Sequence, residues 1–322
     1  MKRREFLGAV GTGVGAMIVP RSLWASSGSG YRRAAVPPYR HFVERWSWAM
    51  GQPVHLQLFA SSTDHGYEAA AAALAELRRV ERRLSLFDDT SDLAELNRQA
   101  GRRRIRVGGD MVFVLAAALR FDRATAGAFN PAVEPLMRAW GFRAPRSSQP
   151  SRAELDEARA AVRAARVVVN GDRVSLPGSD TRLDLGGIGV GYGLDRAMAV
   201  LRQAGIQSAF LDVSGDCLAL GTPPGEEDGW PVAIAGPHAG GQLVGSTRLR
   251  NAALATSANT MSVVRYGRAI RGHVMNPETG WPADALAQVT VVARTGIEAD
   301  ALSTGMLVSG KATEGVLRYF RA

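Results

Sequence analysis

Asp300 and Thr304, in 298-EADALSTGMLVSG-310, lie four residues apart on a predicted helix, so both side chains leave one face. A carboxylate beside a hydroxyl is the hard-oxygen ligation that suits Mg²⁺, which keeps several waters and takes further oxygens from substrate phosphates. Such pairs also occur simply solvated or back-bonded to the helix, so this one does not define a site alone. A second stretch, 184-DLGGIGVGYGLD-195, sets five glycines between two aspartates at a strand-to-helix transition. A glycine turn that opens a helix offers N–H groups and the positive dipole end to a phosphate. Tight packing of the helix on a neighbour accounts for the same glycines equally well. Gly187, Gly189 and Gly191 miss the dinucleotide fingerprint because Tyr192 holds its sixth position, and no Gly-Lys-Ser/Thr follows for a Walker loop. A third stretch, 272-GHVMNPETGWP-282, puts His273 in a turn-rich loop, where it serves as a general base or as a hydrogen-bonded loop residue. Histidines 41, 55, 65, 238 and 273 have no zinc-ligand spacing.

These residues need elements to hold them. Apolar spacing predicts helices over 65–84, from Asp92 (with Glu95 as a capping pair), over 110–126 and ending at Gly127, and at about 191–204 and 297–309. In 151-SRAELDEARAAVRAA-165, Ser151 and Glu154 stand at capping-box spacing. The run 166-RVVVNGDRVSL-176 reads as a hairpin turning on Asn170-Gly171. Strands are predicted at 208–213, 217–220, 231–235, 251–256 and 288–294. Strands and helices mix without βαβ alternation, which favours an α+β fold over a doubly wound sheet.

The 322 residues are 46% hydrophobic and 21% charged, the balance of a soluble globular protein. The first 25 stand apart: Lys2, Arg3 and Arg4 precede 8-GAVGTGVGAMIV-19, and 23-LWA-25 ends in a small residue suited to cleavage. Arg3-Arg4 before 5-EFLG-8 resembles a twin-arginine (Tat) export signal, which predicts use of the Tat machinery and a periplasmic location. The G-x-G-x-x-A match at 11–16 falls inside this signal with no strand before it, so it carries no nucleotide reading. Residues 26–40 read as a linker and 41–322 as one domain. Cys217 is the sole cysteine, so neither an intramolecular disulfide nor a lipid anchor near the cleavage point is expected, and no interior run is long enough to anchor the chain stably in a membrane. The net charge is +9, but the basic clusters 78-RRVERR-83 and 102-RRRIR-106 lack interleaved aromatics, which argues against nucleic acid.

Taken in order, the blocks resemble the ApbE family of FAD:protein FMN transferases. The pattern D-L-G-G-I-A-K-G-Y-A-x-D is matched from Asp184 to Asp195, an A-T-S-G strand end by 255-ATSA-258, H-I-I-D-P-x-T-G by 273-HVMNPETG-280, and A-D-A-x-x-T by 299-ADALST-304. Upstream, 50-MG-51, 85-SLFDDTSDLAELN-97 and 127-GAFNPAVEPLMRAWGF-142 look like three further family blocks. The resemblance implies an ApbE-like, T-fold-like α+β architecture of largely antiparallel sheets flanked by helices. It implies Mg²⁺-dependent transfer of FMN from FAD to a threonine or serine hydroxyl of an acceptor flavoprotein, with release of AMP.

Carried over by position, the metal ligands are Gly187 (through its carbonyl), Asp300 and Thr304, with Ser303 adjacent. The flavin contacts are Met50, Phe87, Ala128, Phe129, Asn130, Asp184, Val190 and Met275, and His273 is the base. The chain departs from the pattern at Val190, where the family has lysine, at Asn276 and Asn130, where it has aspartate, and at Phe87, where it has tyrosine. Neither asparagine can act as a base or carry full negative charge. An FAD pyrophosphatase of the same fold, using water as nucleophile, and a non-catalytic FAD-binding protein fit the same residues.

Overall fold

A computed structural model describes residues 41–237, 242–260 and 262–311. The expected signal segment 1–25 and linker 26–40 lie outside the described residues. The centre is a six-stranded, wholly antiparallel sheet in the order β1-β2-β6-β7-β10-β13. Its strands are β1 (His41–Ala49), β2 (Gln52–Ala60), β6 (Ser208–Val213), β7 (Asp216–Leu220), β10 (Ala253–Ala258) and β13 (Gln288–Ala293). Three helices cover one face: α1 (Thr63–Leu84), α6 (Gly186–Gln203) and α7 (Gly296–Ser309). A hairpin of β8 (Trp230–Ala235) and β9 (Leu243–Leu249) covers part of the other. Strand periodicity divides the two cores. Ala209, Leu211 and Val213 pack with the helices, whereas Phe210 packs with Trp230, Val232 and Leu249. The described part is therefore α+β, as expected.

The smaller elements lie at one end. They are α2 (Asp92–Arg98), α3 (Gly109–Ala124), α4 (Glu134–Ala139) and α5 (Arg152–Ala164), with a short sheet of β3 (Ile105–Arg106), β5 (Arg173–Ser175) and β4 (Val168–Asn170). A hairpin of β11 (Val263–Tyr266) and β12 (Ala269–Gly272) completes the fold. The Ser151–Glu154 capping box forms in both directions. Two local expectations need correction. The cap of α2 is Ser91, whose hydroxyl accepts from Ala94 N at 2.9 Å, while Asp92 is the first helical residue. In the β4–β5 hairpin Asn170 pairs with Arg173, so the turn residues are Gly171 and Asp172, and Gly171 alone takes positive φ, +58°. A hairpin with glycine at its first central position needs no left-handed asparagine.

The β1–β2 hairpin was not expected from the sequence, and it matters for the site. Its two-residue turn is Met50-Gly51, with φ of +57° and +70°. Both signs are those of the turn whose twist matches paired strands. The turn carries Met50 to the glycine-rich first half of α6, where a Cβ added at Gly193 would lie 3.6 Å from Met50 Cε.

Candidate active site

The glycine motif opens α6, and Gly187 interrupts it with φ −90° and ψ 21°. Four residues on, the Gly191 N–H donates to Asp300 Oδ2 at 2.9 Å. In a regular helix that N–H would bond the Gly187 carbonyl. The close approach that the glycines serve is to α7. A Cβ on Gly191 would overlap the Gly296 carbonyl and lie 2.8 Å from Asp300 Cβ; one on Gly187 would lie 2.9 Å from Thr304 Oγ1. Helix packing is thus the direct reason for Gly191, and the same contact brings Gly187 against Thr304. The motif's last aspartate works here as well: Asp195 accepts from Gly296 N at 2.7 Å and Ile297 N at 3.0 Å, capping the helix that holds Asp300.

Around Thr304 the oxygens converge. Ser257 Oγ, at the end of β10, lies 2.8 Å from Ser303 Oγ and 3.2 Å from Thr304 Oγ1. Ser303 is buried and its hydroxyl donates to the Asp300 carbonyl at 2.9 Å, so it braces Ser257 from behind rather than standing free as a ligand. Asp300 is 5% exposed, and burial pushes its carboxyl up to about 7, against the pull of the Gly191 N–H. A neighbour was missed: Asp216, on β7, is raised well above the ordinary carboxylate range by burial and then by the charge of Asp300. Its Oδ1 accepts from Thr256 N at 3.0 Å. A carboxylate, hydroxyls and a kinked helix with its Gly187 carbonyl form an all-oxygen donor set, which fits a hard divalent cation. Among the described residues, no cluster of three or more His, Cys, Asp or Glu side chains could hold a metal. The fit therefore rests on one carboxylate with hydroxyl and carbonyl oxygens.

The second half of the site gathers around Asp184. Buried Asn97 exchanges hydrogen bonds with the Leu183 backbone at 2.8 and 2.9 Å and so fixes the segment before it. Asp184 Oδ1 accepts from Gly186 N at 2.8 Å, and Oδ2 is ion-paired with Arg143. The Arg143 guanidinium also lies 5.4 Å from the Phe87 ring centroid, and Phe87 is otherwise 80% exposed, an aromatic face open for stacking. Phe129 is buried beneath Gly187, with Ala128 and Asn130 beside it in the chain. The two asparagines keep loops in shape. Asn130 Oδ1 accepts from Ala132 N at 2.8 Å, and Asn276 Oδ1 accepts from Glu278 N and Thr279 N at 2.9 and 3.1 Å. An amide oxygen does this as well as a carboxylate does.

His273 is held in its loop by neighbours on both sides. Asn259 Oδ1 accepts from Val274 N at 2.8 Å, and Met275, itself buried, bridges to Pro282. Burial pushes the imidazole below its ordinary value, partly offset by the charge of Asp184 and a contact with the Ser262 carbonyl. Its Nδ1 is buried with no hydrogen-bond partner. Val190, expected as a flavin contact, has a buried side chain. It belongs to the helix-side core that also holds Leu74, Leu77 and Leu194. Ser257 was within reach of the sequence, inside the 255-ATSA-258 block; Asp216 and Arg143 carried no spacing signal.

Fold and site together define an α+β protein in which oxygen-bearing side chains gather at the α6–α7 junction and an aspartate–arginine pair lies beside the exposed Phe87 ring. Residues 50–319 match the family model of the ApbE family, and the chain belongs to that family. It is 32% identical over 267 residues to the FAD:protein FMN transferase of Treponema pallidum, covering 74% of this chain and 72% of that protein. It is 29% identical over 247 residues to the protein of the same name from Haemophilus influenzae, covering 74% and 71%. Among solved structures it resembles the ApbE protein of Thermotoga maritima, with a TM-score of 0.78 and 27% identity over 86% of this chain and 90% of that one. The flavin transferase ApbE of Vibrio cholerae superposes with a TM-score of 0.72 and 25% identity over 83% and 87%.

Proposed function

We propose that this chain is an FAD:protein FMN transferase, moving FMN from FAD to a threonine or serine hydroxyl of an acceptor flavoprotein and releasing AMP. The shared name of its relatives supports the flavin chemistry, and one observation carries the reading to this chain. Gly187 and Ser257, from two other elements, both approach Thr304, and Asp300, one helical turn before Thr304, accepts from the glycine motif at Gly191 N. The Asp300 carboxylate, the Thr304 hydroxyl and the Gly187 carbonyl would hold Mg²⁺, which when bound offsets negative charge on phosphoryl oxygens. Ser257 orients Thr304 by sharing its hydrogen bond. Phe87 would offer a ring face to the isoalloxazine, and His273, whose imidazole burial holds below its ordinary value, would take the proton of the acceptor hydroxyl.

The test is to incubate the purified protein with FAD and Mg²⁺, with and without an acceptor flavoprotein domain, and to follow AMP. AMP formed only with acceptor, with FMN covalently bound to it, is the expected result. AMP without acceptor would make the protein a pyrophosphatase, and bound FAD without AMP a carrier. The same reading places the protein in the periplasm by the Tat route. Replacing Arg3 and Arg4 with lysine should leave the precursor in the cytoplasm, and undiminished periplasmic protein would refute that route.

A further inference from the structure

Arg143 follows 140-WGF-142 in the loop after α4 and has no role in the reaction as described so far. It is unusually placed for an arginine, with its side chain only 15% exposed. Its Nη2 pairs with Asp184, and its guanidinium lies over the Phe87 ring. Its Nε is buried with no hydrogen bond and lies 3.9 Å from Glu134 Oε1, and the Glu134 Oε2 is also buried without a partner. Glu134 is in turn held by Arg138 at 2.9 Å. One planar cation therefore touches three segments: the loop between α1 and α2 that carries Phe87, the strand-to-helix entry at Asp184, and its own loop. A guanidinium can stack on a ring and hold a carboxylate at once, whereas an ammonium is a point charge without the plane.

We infer that Arg143 is a positioning residue of this site, tying the Phe87 loop and Asp184 together so that the walls of the flavin pocket stand ready before FAD arrives. The inference rests on the flavin reading above. Besides Arg143, the groups that face His273 are Asp184 and the Ser262 carbonyl. Arg143 bears on His273 in two ways: directly as a cation, and by neutralising Asp184, whose negative charge would otherwise favour the imidazolium. Both push in the same direction, toward a neutral ring.

Three variants separate the plane from the charge. Arg143→Lys keeps the cation and loses the stacked plane; Arg143→Met loses both; His273→Gln identifies the His273 signal. The readouts are FAD affinity by flavin fluorescence, kcat and KM for AMP release, and the His273 titration followed by NMR in the protein without FAD. Arg143→Lys should raise Kd and KM for FAD by about tenfold with kcat little changed, and leave His273 titrating as in wild type. Arg143→Met should raise Kd as well and shift the His273 titration and the acid limb of the rate profile upward by roughly 0.5–1 unit, less than the 1–3 units of a charge in direct contact. Wild-type FAD affinity in both variants, or a His273 titration unmoved in a folded Arg143→Met protein, would overturn the inference. If wild type neither binds FAD nor releases AMP, the flavin reading fails instead, and the NMR titration still tests the link between Arg143 and His273.

Discussion

Asp300→Asn is expected to slow AMP release from FAD by about 10²–10³-fold, the scale of removing one preorganised electrostatic group of roughly 2.7–4 kcal/mol. The substitution is narrow in its effects. The amide oxygen can still accept from Gly191 N, so the junction between α6 and α7 keeps its hydrogen bond. What disappears is the only charged group among the proposed protein ligands. FAD still meets Phe87 and the Asp184 wall, so the defect should appear in kcat before Kd. Thr304→Ala should cost less, because water can occupy the position of its hydroxyl. Rates measured against Mg²⁺ concentration for wild type and both variants decide the matter. Wild-type turnover in excess EDTA, or an unchanged rate and metal dependence in Asp300→Asn, would show that the proposed metal chemistry is wrong.

The second large effect is on stability. In Gly191→Ala the new methyl falls on the Gly296 carbonyl, part of the backbone of α7, and backbone cannot rotate aside as a side chain can. Forcing extra volume into a packed junction costs about 1–3 kcal/mol and more where the neighbour is rigid. Gly189→Ala is the control within the same helix. Its Cβ would meet nothing nearer than Met50 Cε at 4.0 Å, and alanine in a helix interior gains about 0.5–1 kcal/mol over glycine. Thermal unfolding should therefore move in opposite directions in the two variants, with Tm falling in Gly191→Ala by roughly 2–4 °C per kcal/mol lost. Equal Tm values would refute the account of the glycine motif given above.

The parts of the fold that were legible in the sequence are those where local chemistry and burial agree. Ser151 and Glu154 announce α5, and β6, with the apolar run 209-AFL-211, is buried at every residue because both faces of the central sheet are covered there. The β1–β2 hairpin escaped because β1 is an edge strand whose Phe42, Trp46 and Trp48 point outward, half exposed or more, so its pattern lacks the alternation of a one-sided strand. Strand β9 escaped for a related reason, being exposed along most of its length. Within the site, Asp300 and Thr304 were visible because a single helix sets their spacing. Asp216 and Arg143 depend on contacts between distant segments, and one aspartate after a Ser-Gly turn reads as turn chemistry. The glycine motif was half legible: its glycines demanded a close neighbour, but only the structure shows that the neighbour is the helix bearing Asp300.

Three of the four departures from the family pattern change charge, and they look at first like losses, but their charges add to a different result. Exchanging a lysine for Val190 removes one positive charge, while asparagine at 130 and 276 removes two negative ones, and both amides still tie their loops. Over these three positions the chain is one unit more positive than the pattern it departs from. On the proposed function, a doubly charged diphosphate would meet weaker repulsion from the loops in place of attraction from a lysine. Field strength over such distances follows the sum of nearby charges more than the identity of any one of them. A lysine restored at 190 would have to displace the core packing that Val190 shares with Leu74 and Leu77.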